Sequence, residues 1–166
     1  MAVLKSRRLA AFGVTIGFLV SAVVVTAQLA TASGPCDALL VQADTAVGDA
    51  YQKMLTTQQL EAAATGYYQS IITSANATQA QKNLALQYIQ AATQASADAQ
   101  SRYFQAFDKK AAMDALYAAD PGCSSATEAG LSAAMTEISS LLGAGFQTSV
   151  TATKTSVGLL PTAIIN

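Results

Sequence analysis

The chain has 166 residues, of which 52% are hydrophobic and only 11% are charged, so it suits one folded domain and lacks the charge of a solvated disordered protein. From Ser33 onward it carries ten acidic and six basic residues, a net of four negative charges, which is the wrong sign for nucleic-acid binding. It has no histidine, which removes the commonest general base and metal ligand.

The first 32 residues have the pattern of an export signal. Three basic side chains come first: Lys5, Arg7 and Arg8. A near-continuous apolar run then extends from Leu9 to Val25 without a charged residue. Because the basic flank stays on the cytoplasmic side, the rest of the chain is expected in the periplasm, at the cell surface or outside the cell.

The end of this apolar run decides whether the segment is removed. Ala30-Thr31-Ala32 places small residues where a signal peptidase reads them, which predicts cleavage between Ala32 and Ser33. The run is also close to the lower limit for a membrane span, about 17 residues. The alternative is therefore an anchor retained through residues 9–32, with membrane contact confined to that segment.

Two cysteines, Cys36 and Cys123, follow the export segment. In an oxidising compartment an isolated pair most simply forms one disulfide, and two unrelated buried thiols are the alternative. With no histidine and no second cysteine pair, we expect neither a metal site nor a cofactor.

The sequence after Pro35 predicts a long helical hairpin. A first helix is expected over residues 37–73, because Leu40, Val47 and Met54 recur every seven residues. Thr78, with Gln81 three residues later, is a capping box that opens a second helix reaching residue 119. Helices of nearly equal length bring the end of the second beside the start of the first, where the two cysteines would meet.

A shorter third helix and a tail complete the chain. Asp120-Pro121-Gly122 ends the second helix, and Ser125 with Glu128 predicts a further capping box. We therefore predict an all-α fold, a long antiparallel hairpin with a third helix in a three-helix bundle, over residues 33–145. Residues 146–166 look strand-like or loosely structured, or serve as an interaction segment.

The charged residues of the second helix are the remaining candidates for chemistry. Asp98–Arg102 and Lys110–Asp114 have the four-residue spacing of ion pairs on a solvated helix face, so we predict no catalytic residue among them. Separately, Asn76-Ala77-Thr78 fits the N-glycosylation pattern in an accessible turn, and its use depends on the source. Of the adjacent tyrosines Tyr67 and Tyr68, one is expected to be exposed.

These features favour a non-enzymatic protein. The leading hypothesis is an exported cell-envelope protein that acts by protein–protein contact, as a structural or assembly subunit of a surface or secretion apparatus. Protein partners or self-association are expected, through the low-charge faces of the second helix around Gln94 and Ala97. The alternative is a carrier that binds a small apolar ligand between its helices.

Overall fold

The structure, a computed structural model, describes residues 34–165, with side chains to residue 163. The predicted signal or anchor segment and its cleavage site between Ala32 and Ser33 lie outside the described residues. Within residues 34–165, no helix is both long enough and apolar enough to cross a membrane.

The described chain is all-helical, and the three predicted helices are present. Five helices follow one another: α1 (Pro35–Thr73), α2 (Gln79–Ala119), α3 (Ser125–Leu142), α4 (Ala144–Leu159) and α5 (Thr162–Ile165). Between residues 34 and 165 there is no strand. The all-helical prediction is therefore confirmed for this part of the chain.

Local signals explain where the two long helices begin. Pro35 occupies the first turn of α1, where its missing N–H leaves no hydrogen bond unmade. The capping box predicted for α2 is present: the Gln81 N–H donates to Thr78 Oγ1 at 3.2 Å, and the Thr78 N–H donates to Gln81 Oε1 at 2.9 Å. Both partners satisfy amide groups that the first turn of a helix leaves free.

Helices α1 and α2 run antiparallel in a heptad register. Three contacts between them show the register: the Tyr117 hydroxyl donates to Asp37 Oδ1 at 2.7 Å, Lys110 Nζ pairs with Asp44 Oδ1 at 2.8 Å, and the rings of Tyr51 and Tyr103 lie 5.7 Å apart. Each step of seven residues along α1 matches a step of seven residues back along α2. This is the repeat that keeps two helices in contact in a coiled coil.

Helices α3 and α4 act as one broken third helix. Both run antiparallel to α2: Glu137 of α3 pairs with Lys109, and Ser149 of α4 donates to Asp98 Oδ2 at 2.5 Å. The break falls at Gly143, where a Cβ atom would lie 2.9 Å from the Ser139 carbonyl oxygen. A glycine at position 143 therefore allows the chain to break between α3 and α4 so that both helices pack against α2.

The C-terminal segment differs from its prediction. Residues 146–166 look strand-like or loosely structured in sequence, but Ala144–Leu159 form a helix in which Phe146 and Val150 are buried. The threonines and valines of this segment have low intrinsic helix propensity. Burial of its apolar face against the hairpin outweighs that preference, as tertiary packing does for most helices in proteins.

The core consists of two separate groups of buried side chains. The proximal cluster lies toward the cysteine end and includes Met54, Tyr103, Met113, Leu131, Ile138, Phe146 and Val150. The distal cluster lies toward the α1–α2 turn and consists of Ala64, Ile71, Ala85, Ile89, Leu160 and Ala163. The proximal cluster contains most of the large side chains.

A layer of buried hydroxyl groups separates the two clusters. Thr57, Ser96 and Thr153 are fully buried, and each lies about one turn beyond the last residue that its helix contributes to the proximal cluster. Their hydroxyls bond within their own helices: Thr57 Oγ1 donates to the Met54 carbonyl at 2.7 Å and Thr153 Oγ1 to the Ser149 carbonyl at 3.0 Å. At this level, therefore, these hydroxyls do not link one helix to another.

Candidate functional site

The cysteines lie together at one end of the bundle. Cys36 is buried in the first turn of α1 and Cys123 lies in the turn after α2, with their Cα atoms 6.1 Å apart and their sulfurs at bonding distance. The intervening separation is 87 residues. Closing so long a loop stabilises the fold by at most about 4–5 kcal/mol, mainly through the unfolded state. The cysteine pair therefore has a structural role, because it closes this loop.

A carboxylate organises the turn that holds Cys123. Asp120 Oδ2 accepts hydrogen bonds from the Ser124 N–H at 3.0 Å and from the Thr127 hydroxyl at 2.6 Å. These bonds, led by those to Ser124 and Thr127, lower the pKa of Asp120 from 3.8 to about 2. Cys123 itself has a φ of 53°, a left-handed conformation, and its N–H donates to the Asp120 carbonyl at 3.1 Å.

The cap of α3 lies one residue before its predicted position. The N-cap residue is Ser124, whose Oγ accepts from the Thr127 N–H at 3.3 Å, so the prediction of Ser125 is wrong. Adjacent serines make the sequence ambiguous at this point. Asp120 decides between them, because its bond to the Ser124 N–H holds Ser124 outside the helix.

Both predicted ion pairs on α2 are present. Arg102 Nε lies 2.9 Å from Asp98 Oδ2, and Lys110 Nζ lies 2.6 Å from Asp114 Oδ2. The hydrogen bond from Ser149, with that from Arg102, lowers the pKa of Asp98. Burial lowers the pKa of Lys110, but hydrogen bonds to Asp114 and Asp44 outweigh it and leave that pKa raised. These groups link α2 to its neighbours.

The two carboxylates do not come together. Asp98 faces α4 while Asp114 lies at the α1–α2 seam, about 24 Å away along α2. A carboxylate with a lowered pKa is also a weak proton acceptor at neutral pH. The arrangement therefore holds helices together and forms no paired acid and base.

An exposed group of aromatic rings is the most unusual surface feature. We call it the aromatic cluster: Tyr51 on α1 with Tyr103, Phe104 and Phe107 on α2. Phe104 is 54% exposed, Phe107 49% and Tyr51 40%. Tyr103 lies beneath them, with ring centroids 5.3 Å from Phe104 and 6.2 Å from Phe107. Burial, followed by the charge of Tyr51, raises the pKa of Tyr103.

The aromatic cluster lies on the side of the hairpin away from α3 and α4, which we call the open face. On α1, Gly48 lies about one turn from both Asp44 and Tyr51, and a Cβ atom added there would meet nothing within 4 Å. Val41, seven residues before Gly48, is 56% exposed. The open face thus presents exposed apolar side chains next to open space at Gly48.

The sequence predicted a contact face on α2, around Gln94 and Ala97, but did not predict the aromatic cluster. Gln94 and Ala97 are exposed as expected, and Ala97 lies seven residues before Phe104. Tyr67 is 37% exposed, whereas Tyr68 packs against the distal cluster. The sequence shows two phenylalanines three residues apart beside Tyr103, and this spacing alone does not tell whether the rings are exposed. Asn76 is exposed in the turn, and its glycosylation stays a prediction.

Two grooves also lie on the described surface. One of about 410 Å³ lies between α2 and α3 and is crossed by the Lys109–Glu137 ion pair. Another, of about 630 Å³, follows the threonine-rich outer side of α4. Within residues 34–165 no group of three or more potential metal ligands comes together. Comparisons with protein-family models, with curated proteins and with solved structures find no match for this chain.

Proposed function

We propose that this protein is an exported, non-enzymatic cell-envelope protein that acts by protein–protein contact, as a structural or assembly subunit of a surface or secretion apparatus. The observation that carries the proposal is the aromatic cluster on the open face. The rings of Phe104 and Phe107 are each about half exposed on α2, and both lie against buried Tyr103.

Exposed aromatic rings favour contact because they are costly to leave in water. Burying apolar surface yields about 25 cal/mol per Å², and aromatic residues are enriched where proteins meet. Single exposed apolar residues are common on any protein, but adjacent rings form a patch. Phe104, Phe107 and Tyr51 are also held in place by their contacts with Tyr103, which lowers the entropy cost of binding.

Two independent features support export. Residues 1–32 have the pattern of a signal or anchor, which we place before the helical bundle. Cys36 and Cys123 lie at bonding distance, and disulfides persist chiefly in oxidising compartments. This pair joins the start of α1 to the turn after α2 at one end of the bundle.

The test is the composition of complexes recovered from the source envelope. Mild cross-linking, affinity purification and native mass spectrometry would compare the wild type, a Phe104→Ala/Phe107→Ala double variant and a Leu86→Ala control. Leu86 is 38% exposed on the same helix, about 27 Å from Phe104. We expect a defined protein complex with the wild type and the control, and its loss with the double variant.

Two outcomes would contradict the proposal. A monomer in all three preparations would remove the contact function. A monomer that retains a small apolar molecule through purification would instead support the carrier alternative. Circular dichroism should show equal helicity for the three proteins, because all substituted side chains are exposed.

A further inference from the structure

The open face has the features of a docking site for one kind of partner. Resting on the proposed contact function, we infer that it binds a cationic amphipathic helix of a partner protein, which packs between α1 and α2 as the fourth helix of a bundle. Three observations carry this inference: one side of the hairpin is not covered by any residue between 34 and 163, there is open space at Gly48, and the charges are unevenly placed.

The hairpin is covered on one side only by the described chain. Helices α3 and α4 contact α2 through Glu137 and Ser149, whereas none of the described residues covers Val41 or the exposed rings of the aromatic cluster on the other side. A hairpin with one added helix is a three-helix bundle, and a helix on the opposite side would complete a four-helix arrangement. The heptad register of α1 and α2 offers such a helix a regular groove.

Gly48 provides the space for an inserted side chain. A Cβ at this position would have open space around it, and the two neighbouring turns of α1 carry Asp44 and Tyr51. The register places Gly48 level with Ala106 of α2, which is buried, and the exposed ring of Phe107 follows Ala106 directly. A leucine or phenylalanine of the added helix would fit between Phe107 and Tyr51, as a knob fits a hole.

Charge identifies the partner as cationic. Three basic side chains are directed toward α3 and α4: Lys53, which donates to Gln147, Arg102, which lies against Gly145, and Lys109, which pairs with Glu137. The open face instead carries the carboxylates of Asp44 and Asp114, whose side chains are 62% and 48% exposed. The one basic group found among them, Lys110, is only 22% exposed.

This distribution disfavours a second copy of the chain as the occupant. Two open faces would bring carboxylates against carboxylates, on a chain that carries four net negative charges after Ser33. Lysine or arginine on a partner helix would meet these carboxylates at the rim. The same cations would also stack favourably on the exposed rings of Phe104 and Phe107.

The direct test measures peptide binding to the exported protein purified from its source. The probe is an amphipathic peptide of about 18 residues, long enough to span about 27 Å, with leucine on one face and lysine on the other. Its acidic twin has glutamate in place of lysine, and a scrambled lysine peptide has the same composition without a leucine face. We expect the amphipathic lysine peptide alone to bind, with weaker affinity at higher salt.

Two variants locate the binding without disturbing the fold. Gly48→Leu adds a side chain where the free protein has open space, so we expect a raised thermal midpoint together with about tenfold or greater loss of affinity. Gly48→Ala is the matched control, with a similar gain in thermal midpoint and a smaller loss of affinity. Phe104→Ala should weaken binding about tenfold or more, and Leu86→Ala should not.

Each other outcome overturns the inference. Equal binding of the acidic twin would show that charge does not select the partner. Unchanged binding to Gly48→Leu would place the site elsewhere. Dimers that form on the open face in sedimentation experiments, or vesicle binding that requires Phe104, would make a second copy or a lipid surface the occupant. If the peptides fail while envelope complexes still depend on Phe104 and Phe107, the contact function stands and only the helical cationic partner is wrong.

Discussion

The two ends of the bundle are built differently. The cysteine end has a proximal cluster with Met113, Leu131, Ile138 and Phe146, and ion pairs that join α2 to α1 and α3. The turn end depends on a distal cluster of alanines with Ile71, Ile89 and Leu160. Between them, the hydroxyls of the buried layer bond within their own helices. Stability should therefore concentrate at the cysteine end, which also carries the aromatic cluster.

This difference relates rigidity to the proposed contact. A docking surface loses less entropy on binding when its side chains are already ordered. The open face lies over the proximal cluster, whereas the turn end is expected to open locally at lower free energy. The predictions that follow test this comparison.

Truncation of a large proximal side chain should have the greatest effect. Phe146 is fully buried, so Phe146→Ala should lower the free energy of unfolding by about 3–5 kcal/mol. Ile71→Ala in the distal cluster should cost less, about 2 kcal/mol, because that end opens more readily. Urea denaturation measures both values. An equal or greater loss for Ile71→Ala would remove the difference between the ends.

Loss of the disulfide should lower the stability of the whole fold and loosen the cysteine end most. The Cys36→Ser/Cys123→Ser variant should lose about 2–4 kcal/mol of unfolding free energy while keeping its helicity, because the heptad contacts remain. Peptide mapping without reductant should first find the two cysteines linked. Hydrogen exchange should then accelerate at the start of α1 and the end of α2. Acceleration confined to the α1–α2 turn would contradict the comparison.

Two helical glycines differ in their surroundings: Gly66 has open space around it, whereas Gly145 is closely packed. Gly66, in the turn-end half of α1, has nothing within 4 Å of a built Cβ, so Gly66→Ala should raise the free energy of unfolding by about 1 kcal/mol. At Gly145 the same methyl group would lie 2.7 Å from the Arg102 guanidinium. Gly145→Ala should therefore stabilise less, or destabilise. Thermal denaturation of the two variants checks this order.

The smallest expected effect is on the stability of the fold at low pH. The folded pKa of Asp120 is about 2, below its ordinary value of 3.8, so its ionised form stabilises the fold. That contribution is fully present above about pH 4 and is lost as the pH falls toward 2. Asp120→Asn should reduce the loss of stability over this interval. Denaturation midpoints at pH 5 and pH 2.5 would show it, and an identical acid loss in both proteins would count against the role of Asp120.

Sequence patterns predicted the parts of the fold that repeat. The seven-residue spacing of Leu40, Val47 and Met54 and the capping box at Thr78 sufficed for the hairpin, and equal helix lengths placed the cysteines together. They could not predict α4, because its threonines and valines have low helix propensity and the helix depends on burial of Phe146.

The aromatic cluster was beyond sequence reasoning for a different reason. Phe104 and Phe107 are apolar, and an apolar residue beside Tyr103 is normally expected in a core. Their exposure depends on which side of the hairpin α3 and α4 cover, and that choice is made by tertiary contacts such as Lys109–Glu137 and Asp98–Ser149. Helical periodicity does not contain this information.

The most direct test of the contact function is site-specific photo-cross-linking in the source cells. A photoreactive residue in place of Phe107 would report on the open face, and one in place of Thr148, exposed on α4, would report on the opposite side. The proposed function predicts a discrete cross-linked protein from position 107 and none from position 148. No product from position 107, or the same product from both positions, would contradict it.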